Sequence, residues 1–475
     1  MKTPSGAHIL VFPFPAQGHM LPLLDLTHLL ASHGFPITIL VTSKNLPLLT
    51  PLLSSHPSIQ TLILPFPSHP SIPAGIENAK DLPMSLFPAM IAALGGLQSS
   101  LSDWFRSHPS PPAAIISDIF LGWTHHLAGE LGIPRIVFSP SGALTLSLQI
   151  PMWKNLPKRN DPENQNEVVS FPELPNCPEY PWWQLSPLYR SFVEGGPFSE
   201  FLRDNFLANS VSWGLVVNSF SEMEGIYLEH LKKDLGHDRI WAVGPIQPVI
   251  ENPSGPIRGG PNSVNVDYLL SWLDKCEDGQ VVYVCFGSQA ILRNDQMEEL
   301  ALALEKSGVH FVWSYKEPTK VHVEGGYGEV PPGFTDRVAG RGLVIKGWAP
   351  QVVILRHRAV GAFLTHCGWN SVLESVVAGV PMLAWPMAAD QFANKTLLVE
   401  QLKVAVTVCE GAGTVPDSAE LSRVLAESVS GDRVDRRRAV ELRKAAVEAI
   451  GEGGSSVKDL EGLMGNLVKL GVNGK

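Results

Sequence analysis

Residues 348–391 set out a succession of side chains with complementary chemistry: Trp348, Ala349 and Gln351, then His366, then Gly368, Trp369, Asn370 and Ser371, then Glu374, and finally Asp390 and Gln391. A flat ring with a nearby amide suits a nucleobase, which needs a stacking partner and an edge hydrogen-bonder. A pyrophosphate needs donors without competing carboxylates, and a helix start supplies them through its first N–H groups and its dipole. The run from Thr365 to Ser371 reads as a strand end, a tight turn and a helix entrance, with Gly368 allowing close backbone approach. The hydroxyls of a sugar suit a carboxylate beside an amide, because the first accepts from two neighbours and the second both donates and accepts. Asp390 reads equally well as the N-cap of a helix beginning at Gln391. The chemistry implied is the binding of a sugar nucleotide.

A second constellation suits proton transfer. His19 follows an apolar run, His8 to Phe14, in the turn Pro15-Ala16-Gln17-Gly18-His19, ahead of an apolar helix expected from Pro22. Histidine exchanges protons near neutrality, and a carboxylate on its other ring nitrogen would hold the tautomer and stabilise the imidazolium. Asp118 closes the run Ala114–Asp118, so both groups are expected at strand carboxyl ends. His125 and His126 fall in a helical stretch and read as structural. There is no Asp-x-Asp and no His-Glu-x-x-His, so neither a metal nor a resident cofactor is expected.

Positioning these residues requires parallel sheets. Apolar runs recur at 37–41, 61–64, 113–116, 135–139 and 214–218, then at 281–286, 309–314, 343–346, 361–365, 381–385 and 404–409. Continuous apolar runs alternating with helical stretches mark parallel sheets covered on both faces. Met297, Leu300 and Leu304 share one helix face, with Asn294 as the expected N-cap. The fold class read from this pattern is α/β, in two Rossmann-like domains facing each other across a cleft. Domain one is placed at 1–245, a Pro/Gly/Asn-rich linker at 246–262, domain two at 263–456, and a last helix at 457–475. Irregular stretches at 65–84 and 151–187 interrupt domain one, the latter with Trp153, Trp182 and Trp183, which read equally well as ring surfaces for a flat ligand and as anchors of surface loops.

Composition narrows the class. A chain of 475 residues is long for a single core. Forty-six acidic against 36 basic residues, net −10, and no clustered basic face argue against nucleic-acid binding. Five scattered cysteines without a C-x-x-C pair fit reduced thiols rather than a disulfide framework. No signal peptide and no membrane-spanning run is read, so the expected location is cytoplasmic.

From Trp348-Ala349-Pro350-Gln351 to Asp390-Gln391 the stretch resembles the signature box of plant family-1 UDP-dependent glycosyltransferases, inverting enzymes of GT-B fold. The Pro-Ala-Gln-Gly-His turn, the Ser117-Asp118 strand end and Phe286-Gly287-Ser288 match the family's pattern as well. The resemblance implies His19 as base and Asp118 as its partner. It implies Trp348, Ala349 and Gln351 at the base, Ser288, His366, Gly368, Trp369, Asn370 and Ser371 at the phosphates, Glu374 at the ribose, and Asp390 with Gln391 at the sugar. Gln391 accompanies glucose in that family. The implied partners are a UDP-sugar, most simply UDP-glucose, and a phenolic, flavonoid-like acceptor. The chain is expected to act as a monomer, with the last helix crossing back to domain one. Transfer to carbon, or from another UDP-sugar, is the alternative reading.

Overall fold

The computed structural model describes residues 6–246 and 262–473. Two units emerge: Met1–Pro248 with Glu448–Lys475, and Val249–Val447. Residues 247–261 of the expected linker lie outside the described residues.

The first unit is built on a seven-stranded sheet. Its strands are β1 (Ile9–Phe12), β2 (Ile37–Thr42), β3 (Gln60–Leu64), β4 (Ala114–Asp118) and β5 (Arg135–Ser139). After a small hairpin of β6 (Val168–Ser170) and β7 (Glu179–Pro181) come β8 (Gly214–Val217) and β9 (Ile240–Ala242). The order is β3-β2-β1-β4-β5-β8-β9, with every pairing parallel. β1, β2, β4 and β5 are buried throughout, which is why their sequences are apolar without alternation. β9 has only three residues, too short a run to stand out beside the Pro/Gly-rich segment that follows.

Three expectations about this unit need correction. The first helix is Gln17–Ser32, not a helix from Pro22. The amides of His19 and Met20 both donate to the Ala16 carbonyl, at 3.0 and 2.7 Å, so the Pro-Ala-Gln-Gly-His segment is already the first helical turn. Trp153 is not a loop residue. It lies in the helix Ala143–Asn155, 2% exposed, stacked on Phe206 at 4.8 Å and 6°, and is core. The rest of 151–187 is organised around the β6–β7 hairpin, where Arg159 lies over the Trp182 ring at 4.8 Å.

The last helix, Ser455–Asn473, packs on β9, and its Leu463 and Leu467 enter the core of the first unit with Trp241 and Val243. Asp459 accepts from the Ala242 amide at 2.7 Å, and Ser456 donates to the Gly244 carbonyl.

The second unit has six parallel strands: β10 (Val281–Cys285), β11 (His310–Tyr315), β12 (Gly342–Lys346), β13 (Val360–Thr365), β14 (Met382–Ala384) and β15 (Ala405–Thr407). Their order is β12-β11-β10-β13-β14-β15. Val282, Val284, Phe311, Trp313 and Leu364 pack with the helix Asn294–Ser307 to form its core. Asn294 is not the cap of that helix but its first residue. Arg293 holds the N-cap position, and its amide donates to Gln296 Oε1 at 3.0 Å. The Asn294 side chain instead joins Glu329, donating to Oε2 at 2.8 Å and accepting from its amide at 3.1 Å. Among the described residues, no helix is long and apolar enough to cross a membrane.

Candidate functional site

Each sheet has one place where successive connections leave in opposite directions, and ligands of open α/β sheets gather there, at the strand carboxyl ends. In the first unit that point lies between β1 and β4. His19 follows β1, Asp118 ends β4, and the two meet: His19 Nδ1 and Asp118 Oδ2 are 2.9 Å apart. Asp118 is fully buried, whereas the His19 side chain keeps 18% exposure. With Nδ1 committed to the carboxylate, Nε2 is the nitrogen left to take a proton.

Aromatic rings fix the imidazole from the sides. Phe120 stacks on it at 4.5 Å and 29°, and Phe14 meets it edge-on at 5.6 Å. Phe87 packs on both phenylalanines, at 5.1 Å from Phe14 and 5.2 Å from Phe120. These rings were not singled out from the sequence, although Phe14 and Phe120 each lie within five residues of a dyad member. The stretch 65–84 is fastened beside them. The Asn45 amide donates to Thr42 Oγ1 and to the Glu77 carbonyl, Asn78 donates to Asn45, and the Ala79 amide donates to the Pro15 carbonyl, all at 2.7–2.8 Å.

The segment after β4 is held as firmly. Phe120 N–H donates to Asp118 Oδ1 at 2.9 Å. Three successive carbonyls accept from buried or partly buried side chains: Asp118 from Arg135, Ile119 from Asn209 and Phe120 from Asn205, at 3.0–3.1 Å. None of these three donors was anticipated. Arg135, a charged residue opening an apolar strand, was the available signal.

In the second unit the switch point lies between β10 and β13, whose ends Cys285 and Thr365 are in register. Ser288 follows β10 and His366 follows β13. Trp348 follows β12, and Asp390 with Gln391 follows β14. All the donor-side residues named from the sequence therefore attach to the carboxyl edge of one sheet.

The turn after β13 is shaped by His366. A Cβ on Gly287 would lie 2.6 Å from His366 Nε2, and one on Gly368 would also collide with that atom. Both glycines are thus required by the imidazole between them. Gly368 itself has an ordinary φ of −63°, and the left-handed residue of the turn is Cys367, at φ 63°. Thr365 Oγ1 accepts from the Cys367 amide at 3.2 Å, and buried Asn394 donates to the Cys367 carbonyl at 2.9 Å, bracing that conformation. His366 Nδ1 is buried without a partner, although the residue as a whole is partly exposed, and burial pushes its pKa down to about 4. The ring is neutral near pH 7 and offers one N–H rather than a charge. The helix Trp369–Ala378 then starts with Gly368 at its N-cap and no acidic residue in its first turn, which leaves its positive end uncompensated by any carboxylate there.

Gln351, expected at the base, is tied to the helix that follows His366. Its Nε2 donates to Ser371 Oγ at 3.0 Å and to Glu374 Oε2 at 2.8 Å, while Oε1 accepts from Tyr283 OH at 3.3 Å. Both of its N–H groups are thus directed at Ser371 and Glu374. Half-buried Trp348 is held by Ser263, which accepts from its amide through Oγ and donates to its carbonyl, at 3.0 and 2.8 Å. Ala349 is 8% exposed and follows it directly. Asp390 stands at the N-cap position of the helix Gln391–Lys395 but makes no side-chain capping bond. It follows Ala389, a non-glycine residue at φ 56°. Gln391 Oε1 accepts from the amides of Met387 and Ala388, at 2.9 and 3.0 Å, so its amide nitrogen is the group it can present.

Comparison with known proteins agrees with this architecture. Residues 269–428 match the family model described as UDP-glucoronosyl and UDP-glucosyl transferase. The chain is 61% identical to UDP-glycosyltransferase 89B2 of Stevia rebaudiana, over 98% of each chain. It is 60% identical to flavonol 3-O-glucosyltransferase UGT89B1 of Arabidopsis thaliana, over 99% of this chain and 98% of that protein. The crystal structure of Arabidopsis thaliana UGT89C1 complexed with UDP-L-rhamnose superposes with a TM-score of 0.81 at 42% identity, covering 98% of this chain and 99% of that one.

Proposed function

The chain belongs to the plant family-1 UDP-glycosyltransferases, enzymes of GT-B fold that use a UDP-sugar as co-substrate, and from that premise we propose that it transfers glucose from UDP-glucose to a phenolic hydroxyl of a flavonoid. The observation that carries the reading is the 2.9 Å pairing of His19 Nδ1 with a fully buried Asp118 carboxylate. His19 Nε2 takes the acceptor proton as the oxygen attacks the anomeric carbon, and Asp118 holds the tautomer and stabilises the imidazolium. Attack in a single displacement inverts that carbon and gives a β-glucoside from an α-linked donor.

The departing diphosphate gathers negative charge. It is received by the first turn of the helix Trp369–Ala378 with Asn370 and Ser371, by Ser288, and by the N–H of neutral His366. Trp348 stacks on the uracil, Ala349 presents backbone to its edge, and Glu374, oriented by Gln351, accepts from the ribose hydroxyls. Asp390 and the Gln391 amide nitrogen hold the sugar. A flavonoid acceptor is supported by the partly exposed flat rings of Phe120, stacked on His19, and of Phe87, packed on Phe120, and by the 60% identity to a flavonol 3-O-glucosyltransferase.

The test is an assay of the purified chain with quercetin and a panel of other phenols, offered UDP-glucose or UDP-rhamnose, with EDTA present. Mass spectrometry reads the added sugar, and β-glucosidase or acid reads the linkage. An acid-labile hexoside formed in EDTA from UDP-glucose is expected. A deoxyhexoside from UDP-rhamnose alone would overturn the donor, an acid-stable product would move the reaction to carbon, and a need for added metal would overturn the anion site as described.

A further inference from the structure

Arg135 stands out among the buried charges of the molecule. It is 1% exposed, in the middle of a sheet, and all three of its guanidinium nitrogens are engaged. Nε donates to Ser117 Oγ at 2.8 Å, Nη1 to Asn209 Oδ1 and Ser212 Oγ at 2.9 and 3.0 Å, and Nη2 to the Asp118 carbonyl at 3.1 Å. None of these acceptors is charged. A buried cation needs a counter-charge, and the carboxylate that acts on this one is that of Asp118, also fully buried.

We propose that Arg135 is a positioning residue for glycosyl transfer, fixing the end of β4 and supplying the counter-charge that keeps the Asp118 carboxylate turned on His19 Nδ1. The proposal rests on the dyad reading above. Burial pushes the guanidinium down to about 9, with the Asp118 charge opposing, so it remains a cation at neutral pH. The geometry is specific to arginine: four bonds from one planar group reach two successive residues of β4 and two residues beyond the neighbouring helix Pro197–Ser210 or within it. A lysine would keep the charge and lose most of the fork.

Other titratable groups surround the same spot. His19 faces Asp118 from the helix Gln17–Ser32. His125, on the helix Thr124–Leu131, reaches Ser212 Oγ with Nδ1 at 3.5 Å. Burial first, and then the Arg135 charge, pushes the His125 pKa down, with Asp204 opposing. Asp204 is itself paired to His126 at 2.8 Å. Removing the Arg135 cation takes away the positive charge that faces the Asp118 carboxylate.

The experiment compares Arg135→Gln, Arg135→Lys and Ser212→Asp, which sets a carboxylate against the same guanidinium without removing it. With UDP-glucose and quercetin, Arg135→Gln is expected to lower kcat about 10- to 100-fold with the UDP-glucose KM unchanged, a loss of the size that misplaced catalytic groups produce. The acid limb of its kcat/KM profile should move up by about one pH unit. Arg135→Lys should keep the limb in place and recover part of kcat, and Ser212→Asp should move it in the direction of Arg135→Gln. A second readout does not depend on turnover: 15N shifts of the His19 ring, assigned against His19→Gln, should report the Nδ1–H tautomer in the parent and a mixture in Arg135→Gln. A folded Arg135→Gln protein with the parental limb and tautomer would overturn the proposal, as would equal losses in Gln and Lys variants without any shift. Should Arg135→Gln fail to fold, Ser212→Asp carries the same test. Full turnover by His19→Gln would overturn the base assignment instead, and the 15N reading would still decide the hold of Arg135 on the pair.

Discussion

The two sheets reach the same topological solution and then use opposite chemistry at it. In the first unit the switch point between β1 and β4 carries a buried ionic arrangement, Arg135 behind Asp118 and Asp118 behind His19. In the second, the switch point between β10 and β13 is lined by backbone, two glycines and an imidazole held neutral by burial. On the proposed function, the difference follows from the task. A proton acceptor must become cationic, which favours an anion behind it, whereas a site for a diphosphate works through donors that bring no carboxylate with them.

Breaking the ionic side should have the largest effect. His19→Ala is expected to lower kcat/KM by about 10³-fold, within the range that general bases contribute, while calorimetry finds the affinity for UDP unchanged. A matching loss of UDP affinity would mean that His19 organises the second site as well, and the contrast between the two would collapse.

Next come the glycines of the neutral side. Gly368→Ala and Gly287→Ala each drive a methyl against His366, and Gly287, at φ 77°, adds backbone strain. Losses of about 2–4 kcal/mol are expected in each, by analogy with overpacked and strained sites, together with a raised UDP-glucose KM. Gly129→Ala is the control, since its methyl would meet nothing within 4 Å and the glycine lies inside the helix Thr124–Leu131. It should be neutral or slightly stabilising. Adding His366→Ala should rescue the stability of Gly368→Ala, whose φ is unstrained, and fail to rescue that of Gly287→Ala. Thermal melts of the five proteins decide it.

How these sites were legible differs in the same way. The strands could be read because sheets covered on both faces demand unbroken apolar runs; Asp118 could be singled out because it closes such a run, and His19 because the turn that carries it resembles the family's pattern. The start of the first helix was misplaced because Pro22 reads as a first helical residue, while the helix begins on the Ala16 carbonyl, where no side chain marks it. Trp153 reads as a loop ring because Pro151 precedes it, yet Pro151 is inside the helix. The supports of the site were the least visible. Asn205 and Asn209 act on residues more than 80 positions away, and the ring that crowds Gly287 is His366, which follows a strand paired with its own. Such partners are set by the fold, and local pattern carries no trace of them.

Acid should separate the units further. The pKa of His366 is depressed to about 4 in the folded chain, so its stabilising effect is fully present above the ordinary histidine value of about 6.5 and is lost as pH falls from there towards 4. The upper bound is about 3 kcal/mol at 1.36 kcal/mol per unit, and the partial exposure of the residue reduces it. Urea midpoints measured between pH 7 and 4.5 should fall less steeply in His366→Asn than in the parent. Parallel slopes would show that burial of this ring does not govern the acid limit.

The smallest expected effects compare one buried asparagine from each unit. Asn394→Ala removes the donor to the left-handed Cys367 carbonyl. Asn205→Ala removes a donor to the Phe120 carbonyl and the acceptor for the Trp123 amide. A lost bond of this kind costs about 1 kcal/mol, and more where a partner is left buried and unpaired, so both variants should melt below the parent. The kinetic signatures should diverge more than the melts. Cys367 shapes the turn between His366 and the helix at Trp369, so loosening it should raise the UDP-glucose KM a few-fold and leave kcat near the parental value. Phe120 stacks on His19, so loosening its backbone should lower kcat and leave the donor KM alone. If both variants raised the donor KM, Asn205 would be supporting the whole molecule rather than the base, and the two switch points would not be separable by function.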